Sequence, residues 1–169
     1  MSQSGSRCSL RYATSVGDLP SLEPLWNALQ AHHSEITPRL AGQTPKRGAE
    51  EAWLLRRAKY ERWLKAPDTF FVIAEEEEAS VGYAFVTVGP GYASWATGER
   101  LAELETLSVL PDHRGLGVGS LLLDAVRKRL QEMAIDDLAV TTAIANVDSQ
   151  RFYERHGLSK SFVVYYGKL

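Results

Sequence analysis

Residues 103–130, ELETLSVLPDHRGLGVGSLLLDAVRKRL, pass from strand character through a glycine-rich turn into an amphipathic helix with no linker between them. Residues 101–109 are apolar and β-compatible, and Pro111 followed by Asp112 ends that run. Arg114-Gly115-Leu116-Gly117-Val118-Gly119 comes next. Val118, Leu122, Val126 and Leu130 then recur every four residues, flanked by Ala125 and Met133, while Asp124, Lys128, Arg129 and Glu132 take other faces. The first turn of a helix has backbone N–H groups without intrahelical partners, and glycines let the chain curl so that several point into one space. Such an arrangement reads as a phosphate cradle.

At 169 residues the chain fits one domain large enough to bury a sizeable core. The expected division is a disordered tail over residues 1–8 and a single domain over 9–169. No apolar run approaches the roughly 20 residues of a membrane span, and MSQSGSR has no apolar segment behind it, so neither a membrane partner nor a secretory signal is expected. A cytoplasmic location is the resulting expectation. Cys8 is the only cysteine, which excludes an internal disulfide and a multi-cysteine metal site, and no metal is expected. A net charge of −2 gives no broad attraction to nucleic acid. The charge is uneven, because residues 39–65 carry eight Lys and Arg against Glu50, Glu51 and Glu61.

In chain order, residues 9–14 alternate weakly as a first strand. Asp18 is read as the N-cap of a helix whose stripe is Leu22, Leu25, Trp26 and Leu29, reaching His32 and His33. Residues 37–48 are rich in Pro, Gly and Thr and read as a loop, and residues 49–65 read as a second helix bearing Trp53, Leu54, Ala58, Trp63 and Leu64. TFFVIA (69–74) and VGYAFVTV (81–88) predict an antiparallel hairpin across the acidic turn 75–80. After the long helix, residues 138–144 predict a strand, 146–155 a short helix capped by Asn146 or Asp148 and stopped by Gly157, and 162–166 a last strand. The order is that of a mixed α/β sheet, an α+β arrangement, rather than a doubly wound one.

The glycine loop fits neither a P-loop, which needs a lysine after its glycines, nor the dinucleotide spacing G-x-G-x-x-G. It fits [RQ]-x-x-G-x-[GA] after a V-x-P strand end, in the run Val109-Leu110-Pro111-Asp112-His113-Arg114-Gly115-Leu116-Gly117-Val118-Gly119. Downstream, Asn146-Val147-Asp148-Ser149-Gln150-Arg151-Phe152-Tyr153-Glu154-Arg155-His156-Gly157-Leu158 fits N-x-x-[SA]-x-x-[FL]-Y-x-x-x-G-[FL]. With both motifs in this order the chain resembles the GNAT superfamily of N-acetyltransferases over residues 101–169. The resemblance implies an acyl-CoA N-acyltransferase fold, a mostly antiparallel central sheet with flanking helices. Acetyl-CoA is the implied cosubstrate, and the backbone of Arg114, Gly115, Leu116, Gly117, Val118, Gly119 and Ser120 would hold its pyrophosphate. Pantetheine would lie along Leu107, Ser108 and Val109, with Asn146, Ser149 and Tyr153 completing the binding set. Tyr153 is also the implied general acid. A phenol is protonated at neutral pH and can hydrogen-bond a departing thiolate.

Glu103 and Glu105 are the candidate bases. Period-two alternation places them on one strand face with Leu107 and Val109, a face expected to be buried, where two carboxylates raise each other's pKa. Glu105 matches the base position of polyamine-type members and Glu103 lies nearer that of histone-type members. The implied reaction is direct transfer in a ternary complex, with Glu105 taking the ammonium proton, a strand amide near Leu107 polarising the carbonyl and Tyr153 protonating the thiolate. The partner is a small-molecule or peptide amine, and a homodimer stays open. A noncatalytic acyl-CoA sensor and an enzyme using another acyl-CoA are the alternatives. The acceptor site would be framed by residues 37–48, the two early helices and residues 89–98, with Trp53, Tyr60, Trp63, Tyr92 and Trp95 as its aromatic surface.

Overall fold

The computed structural model describes residues 8–37 and 42–168. Among these, five strands form one sheet in the order β1-β2-β3-β4-β5. They are β1 (Ser9–Ala13), β2 (Phe70–Glu76), β3 (Ala79–Pro90), β4 (Arg100–Val109) and β5 (Asp137–Val140). The first three pairings are antiparallel and the last, β4 with β5, is parallel, so the mixed sheet expected from element order is present. Helices α1 (Glu23–Ile36) and α2 (Ala49–Trp63) precede the hairpin, α3 (Val118–Glu132) follows the glycine turn, and α4 (Val147–Arg155) follows β5.

Alternating side chains of the central strands feed two separate cores. Phe70, Val72, Ala84, Val86, Ala102 and Leu104 pack with Val118, Leu122, Leu123, Val126 and Leu130 of α3. Phe71, Ile73, Tyr83 and Phe85 face the other way and pack with Leu22, Leu25, Trp26, Trp53 and Tyr60. Strands whose successive residues are all buried mark a sheet covered on both faces. The four-residue stripe read for α3 is the one that is buried.

Several expected boundaries move. Asp18 is not a cap: Val16–Leu22 is a 3-10 helix capped by Ser15, and Asp18 instead pairs with Arg11 at 2.7 Å. The hairpin turn is only two residues, Glu77 and Glu78, at φ of 49° and 69°. Both are left-handed, the geometry that matches the twist of paired strands, and it draws neighbouring glutamates into the ladder. Of the apolar residues on α2, Leu54 is exposed, while Trp53 and Tyr60 carry the packing. The strand expected at 138–144 ends at Val140. No strand forms at 162–166; Phe162, Val163, Val164, Tyr165 and Tyr166 are exposed, Tyr165 at 92%. The composition of that segment suits a strand, but a strand needs a paired neighbour, and none is present there. Residues 1–7 of the expected tail, part of the 37–48 loop (38–41) and Leu169 lie outside the described residues.

Candidate active site

The turn after β4 produces an anion-binding shape. Gly115 and Gly117 sit at φ of 75° and 87°, and Gly117 is the N-cap of α3. A side chain in that region costs roughly 1–2 kcal/mol, which is the reason for glycine at these two positions. The first backbone bond of the helix is donated by Leu121 N–H to the Gly117 carbonyl at 3.0 Å. Among the described residues no acceptor is found for the N–H groups of residues 115–120. Six consecutive donors at a helix N-terminus can hold a phosphate group. Gly119 also meets Phe152 of α4, whose ring would lie 3.5 Å from an added Cβ.

The strand feeding this turn is open on one side. β4 pairs with β5 only from Leu101 to Leu104, whereas Thr106 to Val109 continue along β3 alone. The edge of β4 beyond Leu104 therefore offers backbone groups to a ligand that can pair as a strand does. Leu107, Ser108 and Val109 lie on this open stretch.

The expected common face of Glu103, Glu105, Leu107 and Val109 does not exist. The register with β3 shifts between Phe85 and Val86, so that Phe85 opposes Thr106 while Val86 opposes Leu104, leaving Glu105 as the extra residue of a bulge. Leu107 and Val109 pack toward α3 with Ala102 and Leu104. Thr106 and Ser108 turn toward α1 and α2, where Thr106 Oγ1 lies 2.7 Å from the Tyr60 hydroxyl and Ser108 Oγ donates to the Leu25 carbonyl at 2.9 Å. Glu105 is on that same side, accepting from Thr87 Oγ1 at 2.9 Å. Glu103 is exposed rather than buried. Burial pushes the half-buried Glu105 carboxyl above its ordinary pKa; Glu103 adds to this, and the Thr87 hydrogen bond, Lys59 and Arg56 oppose it.

Tyr153 packs against the core on the α3 face, edge-on to Phe152 with ring centroids 5.2 Å apart. Burial pushes its phenol up to about 12. Tyr153 is thus on the α3 side of the sheet and Glu105 on the α1 and α2 side, next to the open edge of β4. Asn146 is 5% exposed and caps α4, its Oδ1 accepting from Ser149 N–H at 3.1 Å. One further link was not readable from the motifs. His156 donates from Nδ1 to the Phe152 carbonyl at 2.8 Å, and its Nε2 lies 3.0 Å from Ser120 Oγ, tying the end of α4 to the first turn of α3. The spacing of Phe152 and His156, four apart on one helix, was its only sequence signal.

A cavity of about 410 Å³ opens beside Glu103 and is lined also by Trp63, Thr87 and Tyr92. Of the other expected aromatics, Trp53 and Tyr60 are core residues and Trp95 is exposed. Thr87 could not be found from local sequence, because it meets Glu105 only across two strands. Among the described residues no group of three His, Cys, Asp or Glu side chains could hold a metal, and no helix is long and apolar enough to cross a membrane.

The family model for the acetyltransferase (GNAT) family matches residues 26–158. A mycothiol acetyltransferase of Cellulomonas flavigena is 27% identical over 135 residues, covering 78% of this chain and 38% of the relative, so the chain spans about two fifths of that relative's length. Among solved structures, the aminoglycoside N-acetyltransferase AAC(6')-Iy in complex with CoA is similar with a TM-score of 0.70 at 22% identity, over 99% of each chain. A ribosomal-protein-alanine N-acetyltransferase from Brucella melitensis biovar Abortus is similar with a TM-score of 0.66 at 17% identity, over 96% of this chain and 99% of that one. These two likenesses establish the shared fold.

Proposed function

Because the chain belongs to the acetyltransferase (GNAT) family, we propose that it is an acetyl-CoA-dependent N-acetyltransferase that acetylates a primary amine by direct transfer in a ternary complex. The observation that carries this reading is the run of unpartnered N–H groups at residues 115–120 at the end of a strand whose edge is open. A pyrophosphate matches the first and the amide-bearing pantetheine arm matches the second. A dinucleotide or nucleoside triphosphate has no use for the open strand edge. The names of the similar proteins, which concern an aminoglycoside, mycothiol and a ribosomal protein, support amine acetylation and differ in acceptor.

Residues 115–120 bind the pyrophosphate of coenzyme A and the free edge of Leu107 to Val109 aligns the arm. The bound cosubstrate supplies an acetyl thioester. Glu105 removes a proton from the incoming ammonium, made more basic by burial and by the neighbouring Glu103. The freed nitrogen lone pair forms the new C–N bond as the C–S bond breaks. An N–H of β4 near Leu107 polarises the carbonyl oxygen. Tyr153 donates its phenolic proton to the departing sulfur, and burial keeps that phenol neutral through the physiological range. The nitrogen gives up its second proton as the amide forms, which replaces the one Tyr153 gave to sulfur, and the proton taken by Glu105 passes to solvent, so one proton is released overall. Asn146 contributes its amide nitrogen, since its oxygen is occupied by the cap. The wall formed by the half-buried Trp63 and the exposed Tyr92 beside Glu103 receives the amine. The open edge and the opposite placement of the two groups suit a substrate that reaches Glu105 from the α1 and α2 face while the sulfur stays with Tyr153.

The test is coenzyme A release from acetyl-CoA across a panel of amines. Tyr153→Phe is expected to lower kcat about 100-fold with little change in KM for acetyl-CoA. Coenzyme A binding without turnover on any amine, together with an unaltered protein on Tyr153→Phe, overturns the enzyme reading in favour of a binding domain.

A further inference from the structure

A second cavity, of about 260 Å³, lies between α1 and α2, lined by Trp26, Arg47, Ala52, Leu55, Arg56 and Lys59. The polar side-chain groups of these residues are all donors and their charges are positive. On α2 and just before it, two other cations are matched at i+4 by acids: Arg47 pairs with Glu51, and Arg57 with Glu61 at 2.9 Å. Arg56 and Lys59 have aromatic residues at that spacing instead. The Arg56 guanidinium lies 4.1 Å from the Trp26 ring and 5.6 Å from the Tyr60 ring, and Lys59 Nζ lies 4.4 Å from the Trp63 ring. Every aspartate and glutamate of the chain is among the described residues, and none has a side-chain oxygen within 4 Å of Arg56 or Lys59. Trp26, at 9% exposure, has an indole N–H with no acceptor among the described residues.

Two half-buried cations steadied on aromatic faces leave their N–H groups free for an anion, and a guanidinium fork with an indole N–H suits a carboxylate. Lys59 and Trp63 also join this cavity to the one at Glu103, because Trp63 lines the latter and carries the Lys59 ammonium on its face. A purely cationic amine nearing Glu105 would meet two positive charges that have no close ion-pair partner and act on Glu105 only from a distance, whereas an amine with a carboxylate of its own would pair both ends. Resting on the acetyltransferase reading, we infer that the α1–α2 cavity binds a carboxylate of the acceptor, and that the acceptor is a zwitterionic amine of amino-acid or peptide type.

Matched acceptors that differ only in carboxylate against carboxamide, such as an amino acid and its amide or a dipeptide and its C-terminal amide, test this through kcat/KM for coenzyme A release. The carboxylates are expected to be preferred at least about tenfold by the wild-type protein, and the preference should fall to about twofold or less in the Arg56→Gln/Lys59→Gln double variant. Amides used equally well, or a preference unchanged in the double variant, overturn the inference. Lys59→Gln alone, which leaves the Arg56 stack on Trp26 in place, should lose part of the preference and guards against a folding defect. Binding of N-acetyl amino acids and their amides, read by tryptophan fluorescence, needs no turnover. Tighter binding of the acids supports the carboxylate site even where no amine is acetylated, and equal or absent binding of both overturns it.

Discussion

Glu105, the proposed base, is half-buried at some cost in stability. Its pKa is raised chiefly by burial, so the folded protein holds the proton more tightly than the unfolded chain does. The sign follows: deprotonation at neutral pH costs folding free energy, and that cost disappears as pH falls below the unfolded value of about 4.3. Glu105→Gln should therefore raise Tm at pH 7 by up to about 2 °C, lose that gain near pH 4, and lower kcat/KM strongly. Thermal unfolding at the two pH values and an acceptor titration check both halves; a drop in Tm at pH 7 would contradict the burial argument. The wild-type kcat/KM should fall on the acid side with an apparent pKa above that of an ordinary glutamate. At this scale the sequence named Glu105 and Tyr153 through motif positions. It could not assign their faces, because a bulge is a property of two strands and Phe85 and Val86 lie some twenty residues upstream of the residues they oppose.

The element that carries most of the proposed donor site is the N-terminus of α3. Gly117 has no neighbour within 4 Å of an added Cβ, so alanine there meets only backbone strain. Gly117→Ala is expected to cost about 1 to 2 kcal/mol of stability and to raise KM for acetyl-CoA several-fold while leaving kcat nearly unchanged. Urea unfolding and initial rates separate the two effects. Elements with their own periodicity or punctuation were legible: α3 by its four-residue stripe, α4 by Asn146 and Gly157, β2 and β3 by their β-branched runs. Elements that exist only through a neighbour were not. Residues 162–166 have the composition of β2 but no partner strand, and residues 141–144 fall away from the sheet where β4 and β5 part. The 3-10 helix Val16–Leu22 was hidden for a different reason, since Asp18 is a good cap by type but is held by Arg11.

The molecule as a whole is one sheet with a core on each face. Leu122 belongs to the α3 side and Phe85 to the α1 and α2 side, both fully buried. Because the same strands supply both cores, Leu122→Ala should cost about 2 to 5 kcal/mol and Phe85→Ala about 3 to 5 kcal/mol. Each variant should still unfold in a single transition, by calorimetry and by circular dichroism alike. Separate transitions for the two faces would show that the cores are independent. The bulge at Glu105 has a consequence at this scale. It resets the phase of β4, so that the strand answers to α1 and α2 through Glu103, Glu105, Thr106 and Ser108, and to α3 through Leu107 and Val109. The two readings of one strand are thereby insulated from each other. On the proposed function, substitutions that recut the acceptor side can accumulate on one face while the register that would align coenzyme A stays fixed on the other, a way to change clients without rebuilding the donor side.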